Sequence, residues 1–249
     1  MRIGTFNIQH GKNYKKFIET GKEFIELEGM ADQISRMGLD VCGLNEVRNQ
    51  EGIGGLVNQA KVIGEHLGYY WHFAKAIDLP ESVGGEYGNA IVSKYPILSV
   101  NTYPIDLPEA EQAGPRWYEP RVVLAARLDV FGKPLTVIST HFGLNDNEKK
   151  KAYKVVLEML KTIDTPLCFL GDLNINCSHP IIAGLSEILD NSDKHLKEID
   201  RTYIGSPSDP WETWKIDHIF TRNLKVSNSV IEMETLSDHR ACYIDCEFE

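Results

Sequence analysis

The chain has 249 residues, 42% hydrophobic and 25% charged, the composition of an ordinary globular protein able to bury a sizeable core. Its formal net charge of −10 argues against a surface that wraps duplex DNA, because such binding draws on Lys and Arg set against phosphates. No stretch approaches the roughly 18 apolar residues of a membrane span, MRIGTFNIQH lacks the apolar run of a signal peptide, and the five scattered Cys include no CxxC pair; the expectation is a cytoplasmic protein with reduced thiols and no membrane span.

Short β-type runs alternate with helical patterns from the start. RIGTFNI opens the chain. Leu27, Met30, Ile34 and Met37 then keep one face and predict a helix over 27–37. DVCGLNEV reads as a strand, and Leu56, Ala60, Ile63 and Leu67 predict a helix over 54–67. YYWHF, NAIVS, ILSVNTY, VVLAARLDV and PLTVIST follow as strands, with VFGKPLTV a hairpin turning at Gly132-Lys133. Tyr153, Val156, Leu157 and Leu160 share a face and predict a helix over 147–162. After PLCFLGDL comes a shorter helix over 179–190, with Ser178 as its cap and Pro180 in its first turn. IDHIF, VSNSVIEM and CYIDCEF complete the strands, while 78–88, 104–119 and 203–215 read as long loops. No low-complexity linker divides the chain, so the expectation is a single domain over 1–249. The two halves echo each other. TFN, a helix and GLNEV in the first match STH, a helix and LGDLN in the second. Many strands with few helices suggest two sheets packed face to face, with helices outside.

Polar residues of a few types recur where apolar strands end: Asn7 after IGTF, Glu46 after VCGLN, His141 after TVIST, Asp172 and Asn174 after CFL, Asp217 in KIDHIF, and Asp238-His239 before the last strand. A carboxylate beside a buried strand is costly unless it is paired or holds a metal. Each residue alone has an ordinary structural reading as a turn former, a surface ion pair or a hydrogen-bonded histidine. The repetition at six strand ends is what points to one site.

In order and residue type, TFNI, LNEV, GNAIVSKYPI, Arg121 in EPRVVLAARL, STHFG, FLGDLNI, IDHIF and SDHRA resemble the endonuclease/exonuclease/phosphatase superfamily. GDLN with a downstream SDH is the specific pair. The resemblance implies an α/β fold of the DNase I-like kind, a four-layer α/β-sandwich of two mixed sheets. It also implies metal-dependent hydrolysis of a phosphate ester. Oxygen ligands without Cys favour Mg²⁺ or Mn²⁺. By the same resemblance Glu46 is the principal metal ligand, with Asn7 and Asp238 beside it. Asp172 orients or deprotonates the attacking water. Asn174 holds a phosphate oxygen or a second metal, and His141 and His239 contact the phosphoryl oxygens. Asp217 is the implied partner of His239 and Glu86 is taken as that of His141, while Arg121 contacts a phosphate or braces the site. Asn89, in GNAIVS, belongs to the supporting set.

Gln9 stands where abasic-site endonucleases usually carry an acid, which weighs against DNA repair. The loop acids Asp78, Glu81, Glu86, Asp106, Glu109, Glu111 and Glu119 would repel an extended polyanion if they rim the site. The expected substrate is therefore a small phosphorylated molecule, diester or monoester. A DNA or RNA nuclease is the first alternative and a catalytically silent binding protein on the same fold the second. No protein partner is inferred. Trp117 and Trp211 are the tryptophans best placed to stack on a substrate, although a core or anchoring role is the commoner use of each of the four.

Overall fold

Alternating apolar strands need a partner face, and here they find it in each other. In the computed structural model, all residues except 52, 54–55, 107–117, 207 and 211–213 are described. Their strands are β1 (Arg2–Asn7), β2 (Val41–Asn49), β3 (Tyr70–Asp78), β4 (Glu86–Ser93), β5 (Ile97–Ile105), β6 (Arg121–Val130), β7 (Lys133–His141), β8 (Leu167–Asp172), β9 (Asp190–Asn191), β10 (Asp217–Arg222), β11 (Leu224–Ile231) and β12 (Cys242–Phe248). They form two six-stranded sheets, ordered β11-β12-β1-β2-β4-β3 and β5-β6-β7-β8-β10-β9. The α/β-sandwich anticipated from the sequence is the observed fold.

Among the described residues five α-helices accompany the sheets: α1 (Tyr14–Thr20), α2 (Leu27–Arg36), α3 (Gln59–Leu67), α4 (Asp146–Leu160) and α5 (Pro180–Ser186). Three apolar clusters define four layers. Ile3, Val41, Ile91, Leu124, Val137 and Leu170 fill the space between the sheets. Met30, Ile34 and Ile63 pack α2 and α3 on the first sheet, while Val156, Met159 and Ile182 pack α4 and α5 on the second.

Helix limits follow local chemistry. The Asn58 side chain accepts from the Lys61 amide, so α3 starts at Gln59, later than the apolar pattern suggests. His179, not Ser178, caps α5, its Nδ1 accepting from the Ile181 amide at 3.2 Å. No residue of α1 is buried, which leaves its sequence without an apolar stripe to read. The β6–β7 hairpin turns at Phe131-Gly132, one residue before the expected position. Both have positive φ, 54° and 83°, the pattern of a two-residue type I′ turn.

The echo between the halves becomes the two parallel pairings. β1 runs parallel to β2, and β7 parallel to β8. All four strands therefore end at the same edge of the sandwich, where Asn7, Glu46, His141 and Asp172 stand. β10 runs antiparallel to β8 and pairs Asp217 with Asp172. β12 runs antiparallel to β1, so Asp238 and His239, just ahead of it, arrive at that edge too.

The sheets approach closely where β2 crosses the second sheet. A Cβ on Gly43 would lie 2.2 Å from Leu170 Cδ1 and 3.0 Å from Ser139 Oγ. Gly43→Ala is expected to lower stability by about 1–3 kcal/mol through overpacking. Urea unfolding monitored by circular dichroism checks this; an unchanged midpoint would mean that the interface opens without cost.

Candidate active site

The strand ends converge on one hydrogen-bonded cluster. Asn7 directs its Nδ2 to Glu46 Oε1 at 3.0 Å and to Asp172 Oδ2 at 3.1 Å, with His239 Nε2 at 3.5 Å. Its Oδ1 accepts from the Gln9 amide at 3.0 Å, which fixes the amide in that orientation. Glu46 sits at a bulge in β2 with φ 58°, a left-handed conformation uncommon for a residue with a side chain. Asp172 follows Gly171, where a Cβ would lie 1.9 Å from the Thr140 carbonyl oxygen and φ is 145°. The glycine of GDLN thus lets β8 close on β7 just before the carboxylate.

The two histidines sit in opposite electrostatic settings. His239 Nδ1 lies 2.8 Å from Asp217 Oδ2, and its Nε2 faces Asp172 Oδ2 at 3.7 Å. Burial opposes charge on this ring, but Asp217, Asp172 and Asp238 outweigh it and lift its pKa to about 10. His141 is driven the other way, first by burial, then by the positive charge of Arg121 and of His239. Arg121 Nη1 donates to His141 Nδ1 at 2.9 Å, so the neutral ring carries its proton on Nε2. That nitrogen faces Asp172 Oδ2 at 3.4 Å as its acceptor; Asn174 Nδ2, 3.0 Å away, is itself a donor and bonds to the Phe142 carbonyl at 2.9 Å.

Burial, joined by the charge of Asp217, raises the pKa of Asp172 against the opposing pull of His239. Asp238 is raised as well, by burial first and by the Glu46 charge in addition. Its oxygens accept from Gln9 Nε2 at 2.6 Å and from Ser237 Oγ at 3.2 Å. The position that separates this chain from abasic-site enzymes is thus a brace for Asp238.

Glu86 does not meet His141. It pairs with Asn49 Nδ2 at 2.7 Å and Lys75 Nζ at 3.4 Å, and Arg121 takes the histidine nitrogen that Glu86 was expected to hold. Arg121 in turn lies 2.7 Å from Glu119, an assembly that braces His141 from behind. Asn89 is a strut rather than part of the cluster. It accepts from Asn45 Nδ2 at 2.9 Å and donates to the Val122 carbonyl at 2.9 Å.

Asn45 is the residue that sequence reasoning passed over. Fully buried, it bridges the sheets. Its Nδ2 also reaches the Thr140 carbonyl at 3.0 Å, and its Oδ1 accepts from the Asp172 amide at 3.0 Å. The signal was an amide inside the otherwise apolar VCGLN. Thr202 and Tyr203 were also missed, and a loop gives no such signal. Thr202 Oγ1 accepts from the Asp217 amide at 3.0 Å, and the Tyr203 ring packs 5.1 Å from that of His239. Trp214 lies against Tyr203 with centroids 4.9 Å apart, whereas Trp117 and Trp211 fall outside the described residues. Of the acids expected to rim the site, Asp78, Glu86 and Glu119 stand in ion pairs, and Glu109 and Glu111 are not among the described residues.

Behind Asp217 lies a buried ion pair. Lys215 Nζ sits 3.0 Å from Asp193 Oδ1 and donates to the Asp217 carbonyl at 2.5 Å. Burial pushes the Asp193 carboxyl up, but Lys215 and His218 outweigh it and hold it well below the usual range.

The architecture is that of the DNase I-like α/β-sandwiches. A mannosyl-6-phosphatase from Bacteroides thetaiotaomicron superposes with a TM-score of 0.78 at 17% sequence identity, covering 100% of both chains. Residues 4–239 match the Endonuclease/Exonuclease/phosphatase family, and the chain belongs to it. Members of this family include phosphoesterases and nucleases. The uncharacterized protein YbhP of Escherichia coli is 23% identical in an alignment of 246 positions that covers 86% of this chain and 90% of YbhP. Protein cwh43 of Schizosaccharomyces pombe is 27% identical over 142 residues, but the match spans only 13% of cwh43 and 56% of this chain.

Lys215→Met is expected to cost about 3–5 kcal/mol by leaving Asp193 buried without its cation. Because the Asp193 pKa is depressed by folding, its contribution is present above the unfolded value near 4 and is lost as pH falls through the folded one. Asp193→Asn should accordingly flatten the loss of stability below about pH 4. Equal acid sensitivity in Asp193→Asn and wild type, measured by urea titration, would contradict the pairing.

Proposed function

We propose that the protein is a divalent-metal-dependent hydrolase of phosphate esters acting on a small phosphorylated substrate. One observation carries the reading: a single amide, on Asn7, donates to Glu46 and Asp172 and lies 3.5 Å from His239, groups drawn from three separate parts of the chain. Acids and imidazole have been gathered at a desolvation cost that packing alone does not require.

Mg²⁺ or Mn²⁺ is the implied ion. Glu46 and Asp238 suit it, being oxygen donors in a largely desolvated corner where burial first, and the Glu46 charge in addition, raises the pKa of Asp238. Asn7 joins them through its carbonyl oxygen only with its amide turned over from the orientation seen here, in which it braces both carboxylates. When bound, the ion neutralises charge on a phosphoryl oxygen.

The remaining work falls to the chain. Asp172, with its raised pKa, aligns the attacking water and accepts its proton. His239, held charged and oriented by Asp217, donates to a phosphoryl oxygen as negative charge develops. Neutral His141 supplies a second N–H from the opposite sheet, and the Asn174 amide lies beside it. The preference for a small substrate rests on the net charge of −10 and on Gln9. It gains support from the structural similarity to a mannosyl-6-phosphatase.

Hydrolysis of sugar phosphates should vanish with chelator and return with Mg²⁺ or Mn²⁺, and Glu46→Gln should shift the metal concentration needed for half activity upward. Turnover that survives exhaustive chelation rules the assignment out. Against the same substrates, His239→Ala should lower kcat by at least about 100-fold. Adding Asp217→Asn to it should cost little more, because Asp217 works through the histidine. Losses that multiply in the double variant would separate the two roles.

A further inference from the structure

Among the described residues, five arginines that are partly or fully buried rest on oxygen. Arg2 pairs with Asp245, Arg121 with Glu119 and Arg240 with Asp200, while Arg201 and Arg222 donate to backbone carbonyls. Arg48 is the exception. It is partly buried, and its Nε is enclosed without a hydrogen bond, as are those of Arg121 and Arg240, but unlike theirs its guanidinium is in no ion pair with a described acid. Removing one guanidinium N–H from water without an acceptor has a cost. Arg48 lies two residues beyond Glu46 on β2, opposite Tyr87 of β4.

A second buried nitrogen lies nearby in the fold. His10 has a side chain only 14% exposed, and its Nε2 makes no hydrogen bond and lies 3.5 Å from Glu23 Oε2. The charges of Arg48, Glu23 and Glu46 all act on this imidazole. The backbone is built to hold the pair. Buried Gln59 donates to the His10 carbonyl at 2.7 Å and accepts from the Arg48 amide at 2.9 Å. Gln9 and His10 take left-handed φ of 44° and 48° to make that approach, a conformation that L-residues adopt at a cost.

We infer that Arg48 and His10 form a second anion subsite beside Glu46, and that the substrates are phosphoesters whose leaving group carries a second anionic group. The substrate class rests on the hydrolase reading above; the subsite does not. A planar guanidinium offers two parallel N–H donors to a phosphate or carboxylate, and a histidine adds a third from the side.

Two measurements test it separately. Inorganic sulfate is titrated into the metal-free protein while the imidazole signals of His10 are followed by NMR. Saturable movement of these signals in wild type, weakened in Arg48→Lys and lost in Arg48→Gln, is the expected result, with thermal unfolding confirming that both variants fold. His10 signals that ignore sulfate, or that respond equally in Arg48→Gln, overturn the subsite. With Mg²⁺ present, kcat/KM is compared for fructose 1,6-bisphosphate and fructose 6-phosphate. Wild type should favour the bisphosphate by about tenfold or more, and Arg48→Gln should erase most of that ratio through KM. A wild-type ratio near one overturns the substrate class. A sulfate response without turnover of either sugar phosphate would instead count against the hydrolase reading.

Discussion

Everything at the working end of this protein follows from crowding buried carboxylates together. Asp172, Asp217 and Asp238 are each almost completely removed from solvent. Left alone, such groups would take up protons or force the backbone apart. The chain answers with directed donors. Asn7 reaches two of the acids of the cluster, the Asn174 amide and Asn45 fix Asp172, and His239 shares its charge between Asp217 and Asp172. The same dense set of partners that makes the acids tolerable also fixes their geometry. The split between a charged His239 and a neutral His141 arises here too. One ring faces acids and the other faces a guanidinium.

Parallel strand pairs solve the delivery problem. A hairpin returns its second strand toward the other end of the sheet, whereas a parallel pair connected through a helix brings two carboxyl ends to one edge. This fold uses the device once in each sheet, and β10 and the approach to β12 add residues from the antiparallel direction. Eight residues from the two halves thereby meet without any long excursion of backbone into the core.

The apolar runs were legible because period-two burial is imposed by packing on both faces. The polar residues that end them were legible because a charge there breaks the pattern. Less legible was whatever depends on a neighbour that the sequence does not reveal. Glu86 was assigned to His141, but Lys75 and Asn49, on adjacent strands, compete for it and Arg121 lies nearer the ring. The hairpin turn slipped by one residue because Phe131 accepts a left-handed conformation that its side chain does not favour, with its ring against Tyr95. α1 went unread because it buries no residue. Asn45 was visible as a break in VCGLN, yet nothing local says that its amide spans the gap to the other sheet.

The register of β1 against β12 pairs Arg2 with Asp245 and Thr5 with Cys242. That ladder closes a loop of more than two hundred residues, among the most expensive contacts in entropy that this chain makes. Asn7 stands just past the Thr5–Cys242 end of the ladder, and Asp238 and His239 lead into that same end. Because β12 lies between β11 and β1 and adds Cys242, Ile244 and Cys246 to the core between the sheets, the contact that completes the first sheet is also the one that brings Asp238 and His239 up to Asn7.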